Sequence, residues 1–363
     1  MNDHDFDPYE KPKRKRKPSQ LKLWVAGMLG AALLLSGLVF FVTQQPTSDS
    51  NLDNQAVVEF NISPIDPQGE LVAYEGGWWL AQWAGPYTMV RQYALNADGT
   101  ASMTRNDQTT ESIAVFDMTI NRDGVSLVAT ANGLVRMIHP AGETDIRAEN
   151  SLSHVTFSPQ GTEYALMNAA NGYYAVYQTY VNSVVYDDRL PVGSNWQLAL
   201  GYNSRVVAAY NTRELLTSPS RPGMEFDSED VIRGLISDVT FTPDGLPVIV
   251  TSENVTIYEA DGGMRIYPTE TGMIHDGEVV VSPDGKWMAV ANNRDGGHLV
   301  RYRLAADPLA PDSNTPTTTF GNMGSAIVGM AFSPDNQYLG VAYGNGTFYI
   351  LDVESGMPVA QVN

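Results

Sequence analysis

The turn Phe241-Thr-Pro-Asp-Gly245 decides the fold of this chain, because three other segments repeat it: Phe157-Ser-Pro-Gln-Gly161, Val281-Ser-Pro-Asp-Gly285 and Phe332-Ser-Pro-Asp-Asn336. Proline fixes φ at the first corner of such a turn, Asp caps the backbone, and Gly or Asn accepts the left-handed conformation that follows. Ahead of each turn, apolar residues alternate with small or polar ones, as in Val239 and Phe241. This period is typical of a strand with one buried face.

Further strands are predicted on both sides of each turn. A second apolar run follows the turn, as in the residues from Trp287 to Asn292, and a Gly/Asn turn then leads to a third, as in Asn345–Leu351. Weaker copies of the turn occur at 65–69, 118–124 and 198–204. The seven turns recur on average about every 45 residues, which is the length of a four-stranded propeller blade. The repeat predicts seven such blades over residues 55–363; six or eight fit if the weaker copies are counted differently.

The repeated strand and turn resemble those of WD-repeat and YVTN-type β-propellers, which carry the same V-x-F-S-P-D-G pattern. Typical WD repeats have a Gly-His pair before each blade and a Trp-Asp pair after its third strand, and neither pair stands at those positions here; Leu351-Asp352 stands at the Trp-Asp position. The resemblance therefore implies an all-β fold in a divergent, bacterial-type member. We expect Met357–Asn363 either to be the last outer strand or to pair with Val57–Phe60 and latch the ring.

An apolar run from Leu23 to Val42 contains no charged residue. Twenty helical residues span roughly 30 Å, the thickness of a bilayer core. The preceding basic stretch places the N-terminus in the cytoplasm and the large domain outside. We predict a disordered basic tail at 1–20, a transmembrane helix at 21–43 with Lys22 and Trp24 at the membrane interface, and a linker at 44–54. The alternative is a cleaved signal peptide, but the run is too long and no small-residue cleavage site follows it.

Composition excludes several functions. Residues 44–363 hold 15 of the 22 Lys and Arg but 37 of the 41 Asp and Glu, a net charge of −22. So acidic a domain repels phosphate backbones, and we predict that it binds no nucleic acid. The chain has no cysteine, which removes disulfides, thiolate metal sites and cysteine catalysis.

No catalytic motif is present in the sequence. His139, His154, His275 and His298 are too far apart for a metal-binding helix, and the G-x-S-x-G serine elbow is absent. Asp-Gly pairs are explained by hairpin turns. We therefore predict no catalytic residues, no metal site and no cofactor. A lactonase-like metal site made of scattered Glu, Asn and Asp side chains stays open as the alternative.

An aromatic cluster formed by Trp78, Trp79 and Trp83, with Tyr87 nearby, has two interpretations. Neighbouring residues on a strand point to opposite faces, so at least one indole should lie in a core. The cluster is either core packing or an exposed platform for a partner. The function predicted from the whole sequence is a membrane-anchored, extracytoplasmic propeller that binds proteins, as a scaffold or an accessory subunit of a membrane complex. An exported propeller hydrolase and a small-ligand sensor are the alternatives.

Overall fold

The computed structural model describes residues 68–362, apart from residue 112 and the segments 131–132, 140–141, 148–151, 169–170, 191–195, 203–206, 212–214, 219–233, 260–262, 269–276, 294–295, 305–315 and 321–323. All regular elements in this part of the chain are β-strands. None of the described residues forms a helix long and apolar enough to cross a membrane. The predicted tail, transmembrane helix and linker, with Lys22 and Trp24, lie outside the described residues.

The strands form seven antiparallel sheets, which we number 1 to 7 in chain order. Sheet 1 contains β1 (Gln68–Tyr74), β2 (Gly77–Ala84), β3 (Tyr87–Leu95) and β4 (Ala101–Thr110). Sheet 2 contains β5 (Val115–Ile120), β6 (Ser126–Thr130), β7 (Leu134–His139) and β8 (Gly142–Arg147). Sheet 3 contains β9 (Leu152–Phe157), β10 (Glu163–Asn168), β11 (Tyr173–Gln178) and β12 (Val184–Arg189). Sheet 4 contains β13 (Gln197–Leu200), β14 (Val207–Tyr210) and β15 (Leu215–Ser218). Sheet 5 contains β16 (Ile236–Phe241), β17 (Pro247–Thr251), β18 (Asn254–Tyr258) and β19 (Met264–Pro268). Sheet 6 contains β20 (Val279–Val281), β21 (Trp287–Asn292), β22 (His298–Arg303) and β23 (Pro316–Phe320). Sheet 7 contains β24 (Ile327–Phe332), β25 (Tyr338–Tyr343), β26 (Phe348–Asp352) and β27 (Pro358–Val362).

Six of these sheets have four strands, and sheet 4 has three among the described residues. The structure therefore confirms four-stranded blades in six sheets, and the described residues do not show the seventh four-stranded blade that the repeat predicts. The turn copy in this region, at 198–204, lacks the proline of the stronger copies. The strands of sheet 4 are four residues long, so they make few ladder hydrogen bonds.

Seven clusters of buried side chains fill the junctions between neighbouring sheets. Six clusters join consecutive sheets. The remaining cluster joins sheet 7 to sheet 1 through residues such as Leu71, Trp78 and Phe348. In a propeller, each sheet buries its apolar surface because neighbouring sheets cover both of its faces. The closed ring confirms the predicted all-β propeller architecture.

The junction between sheets 7 and 1 requires glycine at two positions. A Cβ atom on Gly329 would lie 2.8 Å from the Leu71 backbone nitrogen, and a Cβ on Gly340 would lie 2.6 Å from Trp78 Nε1. Both distances are shorter than a van der Waals contact, so a larger residue would push the two sheets apart. The last strand, β27, pairs with β26. Of the two expectations for Met357–Asn363, the outer strand of the last sheet is therefore confirmed.

The repeated turn has the predicted conformation. Gly245, Gly285 and Asn336 have φ values of 87°, 69° and 62°, which is the left-handed region that favours Gly and Asn. In the sheet 6 copy, the Ser282 hydroxyl donates to Asp284 Oδ1 at 2.7 Å and accepts from the Trp287 backbone N–H at 2.9 Å. The Ser333 copy makes the same two bonds. These serines are structural parts of a tight hairpin.

Candidate functional site

The structure places the three predicted tryptophans in buried junctions. Trp78, Trp79 and Trp83 are 1%, 7% and 9% exposed. Trp78 lies in the junction between sheets 7 and 1, and Trp79 and Trp83 lie in the junction between sheets 1 and 2. Side chains this deeply buried have little surface to offer a partner. The prediction of a partner platform is therefore corrected to core packing for all three residues, and Tyr87 is half-buried.

Trp78 also connects the two ends of the ring through a hydrogen bond. Its indole N–H donates to the Ala331 carbonyl oxygen on β24 at 2.9 Å. Phe348 of sheet 7 packs beside it, with the ring centroids 5.7 Å apart, and Tyr93 of sheet 1 stacks on Phe348 at 4.1 Å. Trp78, with Phe348 and Tyr93, therefore joins the two ends of the ring.

A second set of residues lies at one equivalent position of the innermost strands. This position immediately precedes the alternating apolar pair of each repeat, for example Val239 and Phe241 after Asp238. Across the seven sheets it is occupied by Glu70, Asp117, His154, Gln197, Asp238, Glu278 and Gly329. We call the five titratable residues, Glu70, Asp117, His154, Asp238 and Glu278, the central ring. Sequence reasoning missed this set, although its frame was visible in the repeat.

Members of the central ring bond to the backbone of the next sheet in a regular way. Asp117 Oδ2 accepts from the Val155 N–H at 3.0 Å, and Asp238 Oδ2 accepts from the Val279 N–H at 2.8 Å. Glu278 Oε1 accepts from the Met330 N–H at 3.2 Å. In each case the donor directly follows the equivalent position of the next sheet. The ring is therefore a series of hydrogen bonds between neighbouring sheets.

His154 uses both nitrogens of its imidazole ring. Nδ1 lies 2.5 Å from Asp117 Oδ2, and Nε2 lies 3.0 Å from the Leu198 carbonyl oxygen. Both neighbours are acceptors, so both nitrogens donate only when the ring is an imidazolium. Burial lowers the pKa of His154, but the charge and hydrogen bond of Asp117 outweigh it and bring the pKa above its ordinary value. Asp117 and His154 thus form an ion pair between sheets 2 and 3.

The remaining carboxyl groups of the ring bind protons unusually tightly. Burial raises the pKa of Glu70 to about 8, and the Asp117 charge adds to the rise. Burial raises the pKa of Glu278 to about 8 as well, with contributions from the charges of Asp238 and Glu70. Burial raises the pKa of Asp238 to about 6 despite its two backbone hydrogen bonds. Glu70 and Asp117 thus act on each other electrostatically, as do Glu278 and its acidic neighbours Asp238 and Glu70.

The raised pKa values of Glu70, Asp238 and Glu278 enable the ring to bind protons. No group of three or more His, Asp or Glu in the described part of the chain is arranged to hold a metal ion. Tyr210 of β14 donates to Asp238 Oδ1 at 3.3 Å, and burial raises its pKa well above the ordinary value. Among the described histidines, His154 lies within β9, and His139 and His298 lie at strand ends.

An apolar surface is exposed at the hairpin that joins β11 and β12. Tyr180, Val181, Val184 and Val185 are 65%, 69%, 54% and 48% exposed. We call these four residues the apolar hairpin. An exposed group of apolar side chains costs solubility, so it commonly marks a surface that binds another molecule. Sequence reasoning did not single out this segment, because it lies outside the repeated turn.

Polar contacts join the apolar hairpin to sheets 2 and 3. The Thr179 hydroxyl donates to the Gly161 carbonyl oxygen at 2.9 Å, and the Tyr164 hydroxyl donates to the Asn182 side chain. The Tyr180 hydroxyl donates to Asp123 of sheet 2, and this bond raises the pKa of Tyr180 to about 12. A surface fixed before binding loses less conformational entropy when it binds.

These features define the chain as an all-β propeller built from repeated strand-and-turn units. No protein-family model matches it. The protein LST8 homolog of Drosophila melanogaster is 24% identical over 160 residues, which are 43% of this chain and 47% of that protein. The match thus spans about half the length of this relative.

A chain of Kuenenia stuttgartiensis hydrazine synthase superposes with a TM-score of 0.56 at 12% identity. The superposition covers 82% of this chain and 98% of that one. Similarity at this level of identity concerns the fold alone.

Proposed function

We propose that this chain is a membrane-anchored, extracytoplasmic propeller that binds protein partners, as an accessory subunit of a membrane complex. The observation that carries the proposal is the apolar hairpin, four exposed apolar side chains fixed on a closed scaffold. The similarity to a WD-repeat-like relative supports a scaffold rather than an enzyme. The charge-free run at 23–42 and its basic flank support the anchor and its orientation.

We also infer that sheet 4 is a seventh blade. Its side chains form one buried cluster with sheet 3 and another with sheet 5. A sheet in that position fills a sector of the ring, as the other six do. The proposal makes the described ring seven-bladed, with three strands in one blade.

The test is affinity purification of the tagged full chain from gently solubilised membranes. We expect Val181→Glu combined with Val184→Glu to abolish the association of partner proteins, because each adds a charge at the centre of an apolar contact. Val359→Glu is the matched control, since Val359 is also an exposed apolar residue of a strand (44% exposed) but lies on β27.

The stability of all three proteins should be equal, which is checked by thermal unfolding. Partners that stay bound to the double variant, or that leave with the control, would show that the apolar hairpin is not the binding surface. A hydrolytic activity in the purified chain would favour the enzyme alternative.

A further inference from the structure

Among the described residues, the central ring brings together four carboxyl groups and one imidazole. Glu70 lies near Asp117, His154 and Thr119. Glu278 lies near Asp238 and Glu70, and Asp238 lies near Tyr210. His154 is the one cationic member, and it is already paired with Asp117. Within the described residues, Glu70, Asp238 and Glu278 therefore meet a hydroxyl, backbone N–H groups and one another.

The distribution of these groups makes the closure of the ring, where sheet 7 meets sheet 1, sensitive to their ionisation. Sheet 7 contributes Gly329 at the equivalent position, because a side chain there would collide with Leu71 of sheet 1. The Glu70 backbone carbon lies 3.3 Å from the Cβ position of Gly329, and Glu278 accepts from the N–H of the next residue, Met330. Glu70 of sheet 1 and Glu278 of sheet 6 therefore flank Gly329 and act on each other there. When both are ionised, they repel each other across the sheet that joins the two ends of the propeller.

We infer that the central ring is a proton-operated clasp, in which protonated Glu70 and Glu278 permit tight closure of sheets 6, 7 and 1, and their ionisation loosens it. The hydrogen bond from the Met330 N–H to Glu278 Oε1 spans sheets 6 and 7. A protonated carboxyl group keeps this acceptor oxygen and loses the charge. The clasp thus holds the junction without the repulsion.

The direction of the pH dependence follows from the two states of each group. Glu70 and Glu278 have pKa values of about 8 in the folded protein against 4.5 as the ordinary value. Between these values folding takes up a proton at each group. Their contribution to stability is complete below about pH 4.5 and is lost as the pH rises through about 8. Asp238 and His154 also have raised pKa values, so they act in the same direction.

The experiment measures unfolding of the full chain in mild detergent between pH 5.5 and 9. We expect the unfolding equilibrium constant to rise over this range by at least about 10-fold for each of the two carboxyl groups. Unfolding near pH 6.5 should release about two protons from these groups, measured by calorimetry in buffers of different ionisation enthalpy. Hydrogen–deuterium exchange at pH 9 should increase first in β1 and β24.

Glu70→Gln combined with Glu278→Gln removes the titration and keeps an acceptor oxygen at each position. We expect this variant to lose most of the pH dependence and to unfold at a higher temperature than the wild type at pH 9. Glu75→Gln is the control, because Glu75 is an exposed carboxyl group of the same sheet, and it should behave as the wild type does.

Three results would overturn the clasp. The first is a wild-type stability that does not change, or that rises, between pH 5.5 and 9. The second is proton release that the double variant retains in full. The third is recovery of the pH 9 stability by Mg²⁺ or spermine, which would make the ring a cation site. If the double variant fails to fold, the wild-type proton release and exchange pattern still decide.

Discussion

Replacing Trp78 by phenylalanine tests whether the ring is closed by the indole group of this residue. The variant removes the N–H that donates to the Ala331 carbonyl oxygen at 2.9 Å. Trp78 is 1% exposed, so water cannot replace the donor, and an unsatisfied buried carbonyl costs about 1–3 kcal/mol. The smaller ring also leaves a cavity, which adds about 1–2 kcal/mol. We expect Trp78→Phe to reduce the free energy of unfolding by about 2–5 kcal/mol.

Trp79→Phe is the matched control for this prediction. Trp79 is the next residue on the same strand, is 7% exposed, and packs in the junction between sheets 1 and 2. The same change of side chain there should cost about 1–2 kcal/mol, from lost packing. Both variants are measured by urea unfolding of the full chain, followed by far-ultraviolet circular dichroism, and equal m-values are required for the comparison.

A double-mutant cycle with Gly340→Ala isolates the contact. The added methyl group would lie 2.6 Å from Trp78 Nε1, and overpacking of this kind costs about 1–3 kcal/mol. Phenylalanine at position 78 leaves room for the methyl group, so the combined loss should be smaller than the sum of the single losses. Additive losses, or a Trp78→Phe cost no larger than that of Trp79→Phe, would refute closure through this indole.

Three further predictions concern the turns, the topology and the chemistry. Gly285→Val and Gly245→Val should each cost about 1–3 kcal/mol of stability, because a β-branched residue is strained at positive φ. Gly285→Asn should cost much less, since Asn336 occupies the same position of sheet 7 with a φ of 62°; equal thermal shifts for Val and Asn would contradict the strain argument. Protease added to intact spheroplasts should digest the propeller and spare an N-terminal tag, and digestion of the tag instead would reverse the proposed orientation. The purified full chain should keep its melting temperature in chelator, since a tightly bound ion would stabilise it by mass action; a lowered melting temperature would support the lactonase-like alternative.

The turns and the propeller architecture were predictable because they depend on local chemistry. Proline, Asp and Gly or Asn at fixed spacing determine a hairpin wherever they occur, and the structure confirms the left-handed residues at 245, 285 and 336. The number of strands in each blade was less predictable. The copy at 198–204 lacks proline, and β13 and β14 are four residues long, so little local signal defines the strands of sheet 4.

The location of the tryptophans could not be decided from strand alternation. On a strand with one covered face, alternate side chains are exposed. All eight residues of β2 are buried, because neighbouring sheets cover both faces of a blade. Adjacent Trp78 and Trp79 therefore enter two different junctions. The packing of sheets 7 and 2 against sheet 1 determines whether both faces of β2 are buried or one face is exposed to a partner. The strand pattern alone does not contain this information.

The central ring shows how a repeat can combine a shared structural role with different residues. An acceptor at this position bonds to the N–H of the next sheet in the pairs Asp117–Val155, Asp238–Val279 and Glu278–Met330. Carboxylates accept such bonds strongly, but carboxylates around one narrow centre also repel one another. His154 offsets one charge by pairing with Asp117, and Gly329 supplies none. Neither His154 nor Gly329 neutralises Glu70 or Glu278. These two carboxyl groups reduce their remaining repulsion by binding protons, and the stability of the propeller therefore depends on pH.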